Sequence, residues 1–282
     1  MTKPLDLNLG GDPVELRSLE TLEEFRACVR LQEETWGQGF SEKVPVSLLK
    51  VNLRLGGVSA GAFAASGELV GFVYGLTGYR DGEPLHWSDM LAVGPSWRGR
   101  GLGVHLKLYQ RQLLLDQDVT RMHWTFDPLE SRNAHLNFVR LGIVVREYVE
   151  NMYGESNSPL HQGVGTDRFI AWWDMTSPRV MDRLSGLGPE PLRGVPDAFE
   201  VGEDDGLRRP LGTPVWSPGG GPVMVPVPED FQEVKARDPG LAVAWREATR
   251  AVLGPAVSGG YEVQEFFRGS GVSRYLLVPR DD

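Results

Sequence analysis

Apolar and polar residues alternate with two different periods along this chain, and these periods predict strands and helices. Apolar residues at every second position indicate strands, whereas apolar residues three or four apart, such as Leu22, Phe25 and Val29, indicate helices. The order of elements predicts an α/β (α+β) fold with a mixed, mostly antiparallel sheet flanked by helices. The predicted strands lie at 14–20, 58–65, 69–76, 86–93, 121–126, 144–149 and 168–173, and the predicted helices at 22–36, 45–55, 101–116 and 130–141.

The pattern changes in the last third of the chain. Clear periodicity is lost after residue 176, and the following residues are rich in Gly, Pro, Asp and Glu, which is the composition of a linker. A smaller β-α-β-β unit without a recognisable catalytic motif is predicted beyond it, with strands at 222–228, 261–267 and 273–278 and a helix at 230–252. The predicted organisation is a main domain at 1–176, a linker at 177–210 and a C-terminal α/β unit at 211–282.

Composition narrows the class of partner. The formal net charge is −9 and the arginines are scattered among acids, which argues against a nucleic-acid partner. Cys28 is the only cysteine, so no internal disulfide is possible and a cytoplasmic location is expected. No apolar run approaches the roughly 20 residues of a membrane-spanning helix, and the polar N-terminus does not resemble a signal peptide. We therefore expect neither export nor membrane association.

Residues 91–104 run from a strand through a glycine-rich turn into a helix. Glycines allow close approach of a ligand to the backbone, and the free amides at the start of the helix attract an anion such as pyrophosphate. A P-loop is excluded because Val104-His105 follows Gly103, and a dinucleotide fingerprint needs Gly or Ala where Val104 stands. A plain flexible turn is the alternative, but the spacing of Arg98, Gly101 and Gly103 is stricter than a loop requires.

This spacing, Arg-x-x-Gly-x-Gly after Leu-Ala-Val, resembles the coenzyme A loop of the GNAT superfamily of N-acetyltransferases. Asn133-Ala134 with Leu136-Asn137-Phe138 is similar to a second signature of that superfamily. The resemblance implies a GNAT-like fold and an acyl-CoA-dependent N-acyltransferase, with acetyl-CoA or succinyl-CoA as donor and direct attack by a small-molecule amine. The cofactor-binding residues that it implies are Leu91, Ala92, Val93, Arg98, Gly99, Arg100, Gly101, Leu102, Gly103, Val104, Asn133 and Asn137.

A narrower resemblance concerns the acceptor. Trp36-Gly37, Asp127-Pro128-Leu129 and the run 151–154 resemble a long bacterial branch associated with N-acylamino-acid racemases. That resemblance implies an amino acid as the acceptor, and it implies that the C-terminal unit belongs to the family.

Candidate catalytic residues follow from what amine acylation requires, namely removal of a proton from the ammonium and protonation of the departing thiolate. Asp89 is the candidate base or water relay, because simple alternation places Trp87, Asp89 and Leu91 on one face; a capping or ion-paired Asp is the alternative. Many relatives carry a catalytic tyrosine where this chain has Phe138. Tyr153, Tyr148 or solvent is then left as the proton donor.

Candidate acceptor-binding residues are Glu34, Trp87 and Arg168. Glu34 or Glu33 could bind the amine, although a solvated helix face is the alternative for both. Arg168 could form a bidentate contact with an acceptor carboxylate, and a surface ion pair is the alternative.

Three further expectations concern bound metal, catalytic activity and oligomeric state. No group of His, Cys and carboxylates has metal-ligand spacing, so no metal is expected. A non-catalytic acyl-CoA-binding or regulatory protein is the main rival to an enzyme. A homodimer is possible, since a partner would cover the exposed sheet edges of the C-terminal unit.

Overall fold

The computed structural model describes residues 3–154, 163–190, 193–212, 214–217 and 219–280. The chain divides into two compact units, Met1–Trp124 and Thr125–Asp282. The predicted domain limits at 176 and 210 stay a prediction. None of the described helices combines the length and apolar character needed to cross a membrane.

The first unit contains a sheet and three helices. Its strands follow the spatial order β1-β2-β3-β4-β5-β6, with antiparallel pairing except between β5 and β6, which are parallel. The strands are β1 (Leu5–Leu9), β2 (Asp12–Ser18), β3 (Val58–Ala64), β4 (Leu69–Arg80), β5 (Glu83–Val93) and β6 (Arg121–Phe126), which runs into the second unit. The helices are α1 (Leu22–Trp36), α2 (Val46–Arg54) and α3 (Leu102–Leu115), with a 3-10 turn at Pro95–Trp97.

Local sequence explains where α1 begins. Thr21 accepts a hydrogen bond from the Glu24 amide, and the Glu24 carboxylate accepts one from the Thr21 amide, which completes a capping box. One apolar core packs α1 and α2 on the sheet, and we call it the α1–α2 cluster. Its buried members are Leu19, Phe25, Cys28, Leu31, Val44, Leu49, Phe63, Phe72, Tyr74, Met90 and Ala92, with Val29, Trp36, Phe40, Val46, Leu53 and Leu69 packed against them.

Five strands of the second unit pair antiparallel in the order β8-β7-β12-β13-β11, and β9 and β10 form a separate hairpin. Aromatic rings of Phe138, Phe169 and Tyr275 meet edge to face in its core. The strands are β7 (Val144–Val149), β8 (Arg168–Asp174), β9 (Val201–Asp204), β10 (Leu207–Pro210), β11 (Val223–Pro228), β12 (Tyr261–Phe267) and β13 (Val272–Pro279). The helices are α4 (Ser131–Ala134), which continues as a π-helical turn over His135–Leu141, α5 (Pro178–Leu184), α6 (Phe231–Arg237) and α7 (Pro239–Ser258).

The predicted class is confirmed, since a mixed and mostly antiparallel sheet is flanked by helices, and β11, α6–α7, β12 and β13 form the expected C-terminal β-α-β-β order. Three details differ from the prediction. β1 precedes the first predicted strand, and the predicted helix at 230–252 breaks at Asp238, where the N-cap residue and Pro239 start a new helix. The β9–β10 hairpin was missed because its strands are short and rich in charged residues, so they show no apolar alternation.

Candidate functional site

A β-bulge interrupts β5 in the middle of the sheet. Tyr74 of β4 pairs with Met90, but the next residue, Gly75, pairs with Ser88, so that Asp89 is the extra residue of the bulge. A bulge bends its strand and re-aims the side chains around it, which is why bulges recur beside functional sites. The structure therefore gives Asp89 a special position in the backbone.

The bulge also reverses the alternation of side chains along β5. Ser88, before it, donates a hydrogen bond to Gln110 of α3 at 2.9 Å. Leu91, after it, also lies on the α3 side, with its Cδ2 atom 3.6 Å from where a Cβ on Gly103 would lie. Met90 lies on the other side, in the α1–α2 cluster.

The expectation that Trp87, Asp89 and Leu91 share one face is therefore wrong. Trp87 precedes Ser88 and so faces away from α3, whereas Leu91 faces α3. The physical reason is the extra residue at Asp89, which shifts the period of two by one position. Trp87 itself is half-buried and pairs with Leu76 of β4 and His123 of β6.

The pairing of β5 with β6 is short. The two parallel strands pair at His86–Met122 and at Trp87–His123, directly before the bulge. Within the described residues, the second half of β5 does not pair with β6. The edge of β5 over Leu91, Ala92 and Val93 therefore offers backbone groups to a ligand.

The glycine turn after β5 adopts the backbone that its sequence requires. Gly99 and Gly101 have φ values of 78° and 82°, in the left-handed region, and Gly101 is the N-cap of α3. The first amides to find backbone partners in α3 are those of Val104 and His105, which both bond to the Gly101 carbonyl. Within the described residues, the five amides of residues 99–103 make no hydrogen bond. Such a run of free amides at a helix N-terminus is suited to binding an anion.

The two arginines of the turn are held by the protein itself. Arg98 Nε donates to the Val93 carbonyl at 3.0 Å, and Arg100 Nη1 lies 2.5 Å from Asp12 Oδ2 with its guanidinium near the Trp97 ring. Both arginines retain further donors, and Arg100 remains exposed. Backbone amides, rather than these side chains, are therefore the fixed hydrogen-bond donors of the glycine turn.

Asp89 has an unusual electrostatic environment. Its side chain is exposed to solvent, yet enough protein lies around the carboxyl group to remove part of its hydration. This partial burial raises the pKa of Asp89, and the negative charge of Glu42 raises it further. The neighbouring Tyr74 has its pKa raised to about 12, first by burial and then by Asp89. Asp89 can accept a proton more readily than an ordinary aspartate, whereas Tyr74 stays protonated.

Glu34 lies on the exposed side of α1. It lines a groove of about 340 Å³ together with Glu23, Glu24, Glu68 and Phe63. Glu33 is bound to Lys43 in an ion pair. Glu34 therefore lies on a solvated helix face, which was the alternative to a role in binding the amine.

In the second unit, the residues of the second signature have different environments. Asn133 is exposed on α4, whereas Asn137 is buried in the π-helical turn, where its carbonyl accepts hydrogen bonds from the Gly142 and Ile143 amides. Phe138 is fully buried, and its ring packs edge to face on Phe126 and Tyr275 at centroid distances of 6.2 and 5.7 Å. Phe138 is therefore a core residue.

The candidate proton donors Tyr148 and Tyr153 also differ. The Tyr148 hydroxyl donates to the buried Asp167 carboxylate, and burial followed by the charge of Asp167 raises its pKa far above the usual value. Tyr153 is exposed, with its hydroxyl 2.9 Å from Thr125 Oγ1. Of the two tyrosines, Tyr153 is the one with an accessible hydroxyl.

Arg168 is buried, contrary to the surface ion pair considered as its alternative. Its Nη1 atom donates to the Asp167 carbonyl at 2.9 Å and lies 3.6 Å from Asp127 Oδ2. Arg246 binds the same Asp127 oxygen at 2.6 Å, and the Arg168 guanidinium also lies above the Tyr153 ring. The ion pair exists, but it belongs to the interior of the second unit.

One buried polar network was missed by the sequence analysis. Lys107 Nζ donates to Ser88 Oγ at 2.6 Å, Ser88 to Gln110 Oε1, and Gln110 Nε2 lies 2.9 Å from His86 Nε2. His86 Nδ1 in turn lies 2.9 Å from Thr77 Oγ1. Burial holds the pKa of Lys107 well below its usual range and lowers that of His86 to about 3. The spacing of Lys107 and Gln110 on one face of α3 was the available signal.

The described residues contain no group of three or more His, Cys, Asp or Glu side chains arranged to hold a metal ion. The glycine turn contributes backbone amides that make no hydrogen bond within the described residues, and β5 contributes Asp89, a carboxylate with a raised pKa.

Residues 25–142 match the acetyltransferase (GNAT) family model. This stretch contains the bulge of β5, the glycine turn and the π-helical turn, and its mixed sheet with flanking helices is a GNAT fold. Proteins of that family are acyl-CoA-dependent N-acyltransferases. The match covers less than half of the chain, so it identifies the class of this stretch and leaves the substrates of the whole protein open.

Three solved structures are similar to the chain at low identity. The ribosomal-protein-S18-alanine N-acetyltransferase from Escherichia coli is 16% identical, with 58% of this chain and 95% of that chain covered and a TM-score of 0.45. A GNAT-family acetyltransferase from Streptococcus pneumoniae is 16% identical, with 56% and 98% covered and a TM-score of 0.45. Ard1 from Thermoplasma volcanium is 17% identical, with 56% and 95% covered and a TM-score of 0.43.

These likenesses are too distant to assign a substrate. Among curated proteins, no significant match to the chain was found. None of the comparisons supports the branch associated with N-acylamino-acid racemases.

Proposed function

We propose that this protein is an acyl-CoA-dependent N-acyltransferase that transfers an acetyl or succinyl group from CoA to a small-molecule amine. The observation that carries the proposal is the run of five unpartnered amides at residues 99–103, directly after a strand whose edge opens at a bulge. Amides at the start of α3 suit the pyrophosphate of CoA, because they are fixed donors at the positive end of the helix. The edge of β5 over Leu91 to Val93 suits the pantetheine amides.

Asp89 is the proposed base. The acceptor ammonium loses a proton to Asp89, directly or through one water, and the free amine nitrogen then bonds to the thioester carbonyl carbon. The carbon–sulfur bond breaks, the thiolate takes a proton from Tyr153 or from solvent, and the new amide nitrogen loses its second proton to solvent. Exchange of protons with solvent then restores Asp89 and Tyr153. The raised pKa of Asp89 supports this role, because a base works best when its pKa approaches the working pH.

The remaining site residues stay predictions. Asn133 and Asn137 are proposed to contribute to cofactor binding on the resemblance. Glu34 and Trp87 are proposed to contribute to acceptor binding from their predicted positions, and Arg168 from the affinity of a guanidinium for a carboxylate. An amino acid as acceptor is proposed on the resemblance, a cytoplasmic location on the single cysteine, and a homodimer on the sheet edges expected for the C-terminal unit.

A non-catalytic acyl-CoA-binding protein is the second candidate. Phe138 supports it, because this buried core residue stands where many relatives have a tyrosine that protonates the thiolate. Such a protein would bind CoA without consuming the thioester.

Release of free thiol from acetyl-CoA and succinyl-CoA separates the two candidates, when it is measured against a panel of L- and D-amino acids and simple amines. Amine-dependent release establishes the transferase and names both substrates. CoA binding in a calorimeter without release by any amine favours the non-catalytic protein. Absence of CoA binding contradicts both.

Gly103→Ala tests the position of the CoA site. The added methyl group lies 3.6 Å from Leu91 Cδ2, an ordinary contact, so the fold should tolerate it and helix propensity should favour it. The same methyl narrows the approach to the first turn of α3, and we expect CoA affinity to fall at least about tenfold, or ~1.4 kcal/mol. The matched control is Gly78→Ala in β4, whose added Cβ has no heavy atom within 4 Å. Equal CoA affinity in Gly103→Ala and wild type would contradict the assignment.

A further inference from the structure

The hydroxyl group of Tyr74 is a buried polar group of the first unit that the proposed chemistry does not yet use. Tyr74 is 1% exposed and packs in the α1–α2 cluster, and its hydroxyl has no hydrogen-bond partner among the described residues. A buried hydroxyl without a partner destabilises the fold, and phenylalanine would fill the same space without that cost. Groups of this kind call for an explanation, and a ligand that supplies the missing partner is one.

The position of Tyr74 in the sheet points to such a ligand. Tyr74 pairs with Met90, and the extra residue of the bulge, Asp89, is the direct neighbour of Met90. Solvent reaches the Asp89 carboxyl group, whereas the Tyr74 hydroxyl is buried. The Asp89 charge also acts on Tyr74 and raises its pKa, so a small molecule bound at Asp89 is a candidate partner for the hydroxyl.

Two aromatic rings pack against the same α1–α2 cluster. Trp36 and Phe40 are half-buried and stacked, with ring centroids 5.5 Å apart and an angle of 24° between the planes. Phe72, buried in β4, meets the Trp36 ring edge to face at 6.3 Å. Half-buried aromatic faces bind apolar groups and also attract ammonium ions.

Charge completes the description of the ligand. Two carboxylates act on each other here, Asp89 and Glu42, which lies in the segment between α1 and α2, whereas the Lys50 ammonium lies over the Phe25 ring at another part of the cluster. A protonated amine complements these carboxylates, and an apolar or aromatic substituent complements Trp36 and Phe40.

We propose that Tyr74 is an acceptor-binding residue, whose hydroxyl oxygen accepts an N–H from the acceptor amine, and that with Asp89, Trp36 and Phe40 it selects amines that carry an apolar or aromatic group. This proposal rests on the proposed N-acyltransferase function and names the class of its acceptor. An N–H donated to Tyr74 leaves the nitrogen lone pair free to attack the thioester.

The test is the variant Tyr74→Phe, which removes the hydroxyl and keeps the ring. Binding of phenylethylamine and of ethylamine to CoA-saturated protein is measured by calorimetry, so that a result is obtained with or without turnover. We expect wild type to bind phenylethylamine more tightly than ethylamine, and Tyr74→Phe to bind phenylethylamine about tenfold more weakly, as for one lost hydrogen bond. CoA affinity should not change, and the melting temperature should stay equal or rise.

Two control variants sharpen the result. Tyr109→Phe changes another buried tyrosine of the first unit, on α3, and should leave amine binding unchanged. Trp36→Ala should abolish the preference for phenylethylamine over ethylamine. Where turnover is present, Tyr74→Phe should raise the KM for the amine more than it lowers kcat.

The outcomes distinguish this proposal from the function on which it rests. Equal binding of phenylethylamine by wild type and Tyr74→Phe overturns the role of Tyr74, even when wild type acylates amines. Absence of phenylethylamine binding in wild type overturns the acceptor class. Absence of thiol release, with amine binding that depends on Tyr74, overturns the transferase function and leaves the amine site standing.

Discussion

Both units of this protein bury a basic side chain, but they accommodate the charge in opposite ways. In the first unit, the amine of Lys107 contacts Ser88, Gln110, the Met122 sulfur and the Trp124 ring, and none of these groups carries a negative charge. In the second unit, Arg246 and Arg168 share the carboxylate of Asp127, and Arg250 binds the buried Asp167 through two nitrogens.

The difference follows from the chemistry of the two side chains. A lysine amine can give up its proton when burial makes the charge costly, and it is then satisfied by neutral partners. A guanidinium stays charged at any pH a protein experiences, so its burial requires a carboxylate. The first unit therefore surrounds its buried amine with uncharged partners, whereas the second unit depends on paired charges, and the two should respond differently to substitution and to pH.

Removal of the shared carboxylate should have the largest effect. Asp127→Asn keeps the shape of the side chain but leaves Arg246 and Arg168 without their common counter-charge, and we expect the free energy of unfolding to fall by about 3–5 kcal/mol. Urea unfolding measures the change. Asp197→Asn is the matched control, since its ion pair with Arg274 is partly exposed, and it should cost no more than about 1 kcal/mol. Equal losses in the two variants would contradict the contrast between buried and exposed pairs.

Removal of the buried amine should act in the opposite direction. In Lys107→Met, Ser88 and Gln110 keep their mutual hydrogen bond, so no polar group loses its partner, and we expect a gain of about 1–3 kcal/mol at pH 7. The folded pKa of Lys107 lies below the unfolded value of about 10.4. At pH values between these two, the unfolded chain binds a proton at Lys107 that the folded protein does not bind. The wild type should therefore become more stable relative to the variant as pH rises, and the gain should shrink toward pH 10.

Unfolding by urea at several pH values measures this trend. A gain that is independent of pH would show that Lys107 is charged in the folded protein. A loss of stability in Lys107→Met would contradict the expectation that burial of this amine among uncharged partners destabilises the fold.

His86 should give the smallest effect, and it appears only in acid. Its folded pKa of about 3 lies below the unfolded value of about 6.5, so between these pH values the unfolded chain binds a proton that the folded protein does not. Stability from this residue is present above about pH 6.5 and is lost as pH falls. His86→Gln lacks this proton uptake, and between pH 6 and pH 5 it should lose about 1 kcal/mol less than wild type. Parallel pH profiles of the two proteins would contradict the buried neutral state of His86.

Some features of the site were predictable from neighbouring residues alone. The glycine turn is one, because the left-handed backbone at Gly99 and Gly101 is a local requirement that glycine meets without strain. The start of α1 at its capping box and the helix over α3 are others, because caps and apolar periodicity act within a few residues. These local signals predicted the order of elements and the position of the anion site.

Other features depend on which strands and helices meet. The bulge at Asp89 exists only in the pairing of β4 with β5, and no pattern within 86–93 reveals it, so the predicted faces of Trp87 and Leu91 were wrong. The burial of Phe138 is likewise decided by a distant partner, since its ring packs on Tyr275, 137 residues further along the chain.

The sequence by itself therefore determined the elements, the glycine cradle and the resemblance to acyltransferases. Only the tertiary structure decided where Asp89 faces, that the Tyr74 hydroxyl lacks a partner, and that Lys107 is buried without a carboxylate. The physical reason is one of range: backbone propensity and capping act between neighbours in sequence, whereas burial, strand register and charge pairing are set by residues that folding brings together.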